Sequence, residues 1–185
     1  MAPKLTIVGI SGSLRKGSYN SGLLRIAERS LPENVSLKIL PLDDLPIYNA
    51  DIEKPLPAAV KAFKDAVKAA DGLLIATPEY NYSTSGVLKN AIDWLSRPYG
   101  DNSVDGKPVA LMGASMAVTG TARAQYHLRQ MFVYLNGHLL NRPEVMVPSA
   151  HEKFDGDGNT DDAKTKEKVT ELVMALLAWI ERLRK

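Results

Sequence analysis

Gly9, Ser11, Gly12, Ser13, Arg15, Gly17, Ser18 and Asn20 crowd together between an apolar run and a helical pattern. Small residues let a backbone turn tightly and aim successive N–H groups at one point. Ser11, Ser13 and Ser18 add hydroxyls, Asn20 an amide and Arg15 a planar cation. The start of the following helix adds its positive end. Such a set can cradle a phosphate, or it can be an ordinary strand-to-helix connection rich in turn residues. A triphosphate loop is excluded: Gly12 and Gly17 have the spacing, but Ser18 stands where the lysine must be. Gly9, Gly12 and Gly17 do not fit the dinucleotide pattern Gly-x-Gly-x-x-Gly. A phosphatase loop needs a cysteine nucleophile, and the chain has none. A terminal monophosphate, held by backbone, hydroxyls and Arg15, fits best.

Two further segments carry chemistry. Pro78, Glu79, Tyr80, Asn81 and Tyr82 follow an apolar run, and their aromatic rings suit the wall of a flat ligand. The same residues also make a plain turn in which Tyr80 and Tyr82 only pack. The third segment, residues 113–120, has the outline of a nucleophile elbow around Ser115, but Ala117 replaces the second glycine. A hydrolase of that kind needs an acid and then a histidine further along. His127, His138 and His151 all precede Asp155, so Ser115 reads instead as a hydroxyl facing a shared site.

These loops need a frame whose strand ends meet. Short apolar runs at residues 5–10, 35–40, 72–77 and 109–112 read as strands, with a fifth at 138–147 interrupted by Pro143. Between them, helical periodicity covers residues 20–31, 58–70, 85–95 and 121–135, and a long stripe ends the chain. Residues 42–57, rich in proline and acid, read as a long loop. Regular alternation of strand and helix predicts an α/β fold with a parallel sheet covered on both faces. Five such units suit a flavodoxin-like three-layer sandwich, a five-stranded parallel sheet of order 2-1-3-4-5. One domain over residues 1–185 is expected.

Composition removes several classes. With 23 basic and 21 acidic residues the net charge is +2, which gives no case for nucleic acid or an anionic membrane. Without cysteine there is no disulfide, thiolate nucleophile or cysteine-held metal. The first residues lack the features of a signal peptide, and no run reaches the ~20 apolar residues of a membrane span. A soluble cytoplasmic protein is the expectation. The stretch from Asp155 to Lys166 imitates a calcium loop, but Thr160 and Lys166 replace its glycine and glutamate. It reads as a polar loop before a helix start marked by Asp161 and Asp162. The three histidines have no metal-ligand spacing, and no metal is expected. Arg182, Arg184 and Lys185 suit a helix C-terminus.

Residues 13–20, 78–83 and 86–96, with Tyr126 to Gln130, resemble the NADPH-dependent FMN reductase family, in particular its bacterial quinone and chromate reductases. The resemblance runs over nearly the whole chain. It implies that Ser13, Leu14, Arg15, Lys16, Gly17, Ser18, Tyr19 and Asn20 wrap the FMN phosphate. It implies that Pro78, Glu79, Tyr80 and Asn81 border the isoalloxazine, largely through backbone groups, and that Ser115 bonds near the flavin. Tyr82 is the residue expected nearest the acceptor. NAD(P)H would supply the electrons, small molecules such as quinones would receive them, and the flavin would carry the chemistry with no catalytic side chain. A flavodoxin-type electron carrier is the alternative, though the lack of strong acidity speaks against it. The resemblance also implies a homodimer or homotetramer. The helices at residues 85–94 and 121–134, with Tyr126 and Phe132 read as exposed, could form that contact or simply pack in the core. Nothing in the tail after Pro148 is recognisable, which puts none of these binding residues in doubt.

Overall fold

The computed structural model describes residues 5–184; Met1–Lys4 and Lys185, which the readings of the two termini included, lie outside the described residues. Six parallel strands form one sheet: β1 (Leu5–Ser11), β2 (Val35–Leu40), β3 (Gly72–Ala76), β4 (Pro108–Ala114), β5 (His138–Leu139) and β6 (Val145–Val147). The order is β2-β1-β3-β4-β5, with β6 also on β4. The expected order therefore stands, and the fifth position is divided. β5 pairs with Pro108 and Val109, and β6 with Met112 to Ala114, on either side of a break containing Pro143. Proline has no N–H to give to a ladder, so the break falls where the sequence places it.

Five helices cover the sheet: α1 (Tyr19–Arg29), α2 (Ala58–Ala69), α3 (Gly86–Leu95), α4 (Ala122–Tyr134) and α5 (Ala163–Leu183). Successive strand residues face opposite layers. Leu74 and Ala76 pack with Leu23 and Leu24 of α1 and Val169, Leu172 and Leu176 of α5. Leu73 and Ile75 pack with Val60, Leu88 and Leu128 of the other three helices. The long loop after β2 is tied to α3, where the Asn90 Nδ2 and Trp94 Nε1 groups both donate to the Pro46 carbonyl, at 2.9 and 2.8 Å. Lys64 is buried and spends its ammonium on the carbonyls of Trp94, Leu95 and Asp101, at 3.1, 3.1 and 2.7 Å, closing the end of α3. Burial lowers its pKa, against the attraction of Asp101.

One expected surface residue is not on the surface. Phe132 is completely buried, whereas Tyr126 is exposed. Phe132 lies one helical turn beyond the buried Leu128 and so shares its face, while Tyr126, two residues before Leu128, points away. No helix among the described residues is long and apolar enough to cross a membrane.

Candidate functional site

The carboxyl ends of β1, β3 and β4 open into a cavity of about 470 Å³, within the roughly 300–1,000 Å³ usual for small ligands. The chain leaves β1 toward one edge and returns to β3 on its other side, so the cavity lies at a topological switch point. A larger depression of about 780 Å³ lies on the outer flank of α1, lined by Arg25, Arg29 and Lys166, and shares no residue with the first.

The loop after β1 is fixed at both ends. The Gly12 amide donates to the Ala76 carbonyl at 2.9 Å, and the Ser85 hydroxyl donates to the Gly12 carbonyl at 2.6 Å. A methyl group on Gly12 would lie 2.8 Å from Pro78 Cδ, so a side chain here would push the first two loops apart. Ser18 is the N-cap of α1, its hydroxyl accepting the Ser21 amide at 3.3 Å. Among the described residues the amides of Arg15, Lys16, Gly17, Tyr19 and Asn20 find no acceptor. Unpaired donors clustered at a helix start, beside a guanidinium, match the chemistry of a phosphate.

The structure divides the expected residues of this loop. Ser13, Arg15, Tyr19 and Asn20 line the cavity, with the Arg15 guanidinium 4.7 Å from the Tyr19 ring centre. Leu14 and Lys16 are exposed on the rim, and Gly17 and Ser18 lie beneath the loop. The Asn20 side chain is buried and committed elsewhere: its Nδ2 donates to the Ala114 carbonyl and its Oδ1 accepts the Ala114 amide, each at 3.0 Å. It ties the loop after β1 to the end of β4.

Pro78, Glu79, Tyr80, Asn81 and Tyr82 all line the cavity. Tyr80 and Ser83 exchange both backbone hydrogen bonds, at 2.9 Å, around Asn81 and Tyr82 at φ +49° and +67°. Two positive φ values define a type I′ turn, which asparagine tolerates and tyrosine resists. The turn lifts Tyr80 and Tyr82 outward, with 53% and 68% of their surface exposed, so they rim the opening rather than pack.

The Glu79 carboxylate is not available to a ligand ring. It accepts the backbone amides of Arg123 and Ala124, at 3.0 and 3.3 Å, and pairs with the Arg123 guanidinium. Arg123 in turn lies 3.7 Å from the Tyr82 ring centre. Glu79 therefore caps α4 and, through Arg123, holds Tyr82. Sequence reasoning missed Arg123, together with Met116 and Ala117, which also line the cavity. A signal was present: a cation in the first turn of a helix opposes the dipole unless a carboxylate compensates it. Ser115 lines the cavity too, with its hydroxyl turned to the Gly120 carbonyl. Gly113 sits where a methyl group would meet the Thr77 carbonyl at 2.4 Å, which explains the small residue at this strand end.

The tail after Pro148 is not detached from the site. Phe154 packs on Tyr19 with ring centres 5.3 Å apart, and Gly156 and Gly158 lie against Gly17 and Gly22. The turn that imitated a calcium loop is closed on itself: one Asp155 oxygen accepts the amides of Asp157 and Asn159, at 3.0 and 2.8 Å.

A parallel sheet in this order, with a phosphate-type loop after its first strand and aromatic residues after its third, defines the flavodoxin-like class of flavin-binding folds. The model of the NADPH-dependent FMN reductase family matches residues 5–152, and the chain belongs to that family. It is 49% identical to an NAD(P)H-dependent FMN reductase of Pseudomonas aeruginosa over 185 residues, the full length of both chains. It is 43% identical to a quinone reductase of Escherichia coli over 188 aligned positions, again the full length of both. Among solved structures, a flavoenzyme NAD(P)H:(acceptor) oxidoreductase of Paracoccus denitrificans superposes with a TM-score of 0.87. It is 37% identical, and the match covers 96% of this chain and 98% of that one.

Proposed function

We infer that the protein is an FMN-dependent NAD(P)H oxidoreductase that reduces quinone-type acceptors. The observation that carries this reading is the cavity itself, with unpaired amides and Arg15 at one end and an aromatic rim at the other. When bound, the flavin supplies two-electron transfer between a nicotinamide and an acceptor. The backbone of the loop after β1, with Ser13 and Arg15, holds the phosphate. Pro78, Tyr80 and Asn81 border the ring through backbone groups, Ser115 closes the β4 side, and Glu79 acts as a positioning residue by fixing Arg123. Tyr82 stands over the entrance, where a planar acceptor arrives. An entrance rimmed by the exposed rings of Tyr80 and Tyr82 supports a broad range of acceptors, chromate among them. Electron donor and acceptor would use the same face in turn.

The working form is proposed to be a homodimer or homotetramer joined through α3 and α4, in the cytoplasm, where NAD(P)H is supplied. Tyr126, Val133 and Tyr134 are exposed on α4 and provide an apolar contact surface.

The test is the visible absorption spectrum of the protein loaded with FMN, recorded without oxygen before and after NADH or NADPH. Bleaching of the flavin bands, with recovery on adding a benzoquinone, is the expected result. Bands that stay unbleached would favour a carrier that needs a separate reductase. Failure to take up FMN would overturn the reading.

A further inference from the structure

The tail segment Phe154 to Asn159 lies beyond the part of the chain that the family model matches, yet its backbone rests directly on the loop of residues 13–20 and the start of α1. A methyl group on Gly17 would come within 1.9 Å of the Gly156 carbonyl oxygen, and one on Gly22 within 2.1 Å of the Gly158 oxygen. From the other side, a methyl group on Gly158, at φ +75°, would lie 2.6 Å from the Ser18 carbonyl oxygen. Glycines on both sides permit backbone to rest on backbone. The contact is fastened by Arg25 of α1, whose Nη2 donates to the carbonyls of Asp157 and Gly158, at 3.0 and 2.8 Å, and to Asn159 Oδ1 at 3.3 Å. The segment keeps its shape because one Asp155 oxygen gathers the amides of Asp157 and Asn159. These bonds also hold the Asp155 pKa low, the Asn159 amide being the main cause. A second line of contact runs from Phe154 to the Tyr19 ring and from that ring to the Arg15 guanidinium, which lines the cavity.

We propose that residues 154–159 are a brace that sets the phosphate loop of residues 13–20 in its binding shape, with Asp155 and Arg25 as positioning residues for the cofactor phosphate. Neither side chain lines the cavity. The loop they support presents unpaired amides, which must converge on one point to bind a phosphate. A loop without its brace samples other shapes, and affinity falls by the fraction of time it spends outside the competent one. Because the brace acts on the phosphate end alone, its loss should weaken FMN and leave riboflavin, which has no phosphate, unaffected.

This inference rests on the flavin reading, so the experiment separates the two. The full chain, stripped of flavin, is titrated with FMN and with riboflavin by fluorescence quenching. Parent protein should prefer FMN; binding of neither flavin would overturn the flavin reading and the brace together. In Asp155→Ala and Arg25→Ala the FMN dissociation constant should rise about tenfold or more, with riboflavin binding unchanged. Asp155→Asn keeps the single oxygen that accepts both amides and should retain parental affinity. Parental FMN preference in both alanine variants, or equal loss of both flavins, would overturn the brace. Arg25→Ala, which removes only a partly exposed side chain, decides the matter should Asp155→Ala fail to fold.

Discussion

Arg15 lines the cavity in the same loop as the unpaired amides, whereas Arg123 is paired with Glu79, so the contribution of Arg15 can be isolated. A charge-assisted phosphate contact is worth about 1.5–3 kcal/mol, which corresponds to roughly 10- to 100-fold in affinity. Arg15→Ala should raise the FMN dissociation constant by that factor in a titration, while the melting temperature of the flavin-free protein stays unchanged, since the side chain is exposed. Tyr82 makes a different prediction. It occupies a left-handed conformation at φ +67°, which costs about 1 kcal/mol or more for a residue other than glycine. Tyr82→Gly relieves that strain and loses the ring, so the unfolding free energy from urea titration should stay within about 0.5 kcal/mol of the parent. Tyr82→Val puts a β-branched residue in the same conformation and should cost about 1–2 kcal/mol. Equal midpoints for the two variants would show that the turn relaxes on substitution and holds no strain.

At the scale of elements, the last helix offers the cleanest test of sequence-coded structure. Asp162 is the N-cap of α5 and accepts both the Thr165 amide and hydroxyl, at 2.8 and 2.6 Å. Asp162→Ala should lower stability by about 1 kcal/mol in urea unfolding. The Thr165 side chain and amide hold the Asp162 pKa below its usual value, as Asn159 does for Asp155. A carboxylate with a lowered folded pKa stabilises fully above its unfolded value near 3.8 and loses that contribution as pH falls through the folded one. Amide protection around residues 154–165, measured against the intrinsic exchange rate at each pH, should therefore fall below about pH 4 before that of the central strands. Helices and strands were legible because their apolar residues repeat at the right interval: the stripe from Val169 to Ile180 is buried as its spacing requires. What the sequence did not disclose are pairings between distant segments. Glu79 meets Arg123 and Asn20 meets Ala114 across 44 and 94 residues, and no local pattern records either. The tail is legible as a polar loop before an acidic helix start, but its seat against residues 17–22 depends on glycines whose role appears only when two backbones meet.

For the whole molecule, the two layers are unequal in purpose. The α1 and α5 layer carries the loop of residues 13–20 and the tail segment beneath it, whereas the α2, α3 and α4 layer carries Tyr126, Val133 and Tyr134 on its outside. If α4 joins copies of the chain, Val133→Asp, at an exposed position, should lower the mass found by sedimentation while circular dichroism shows the fold retained. An unchanged mass would place the contact elsewhere.

The divided fifth strand has a consequence for that assembly. An open parallel sheet ends in rows of unpaired backbone groups, which invite a strand from a neighbouring molecule. Here one border is cut into pieces of two and three residues with Pro143 in the gap. Neither piece is long enough to template a visiting strand, and the proline denies it a donor midway. On that flank the molecule is protected from edge-to-edge stacking and fibre growth.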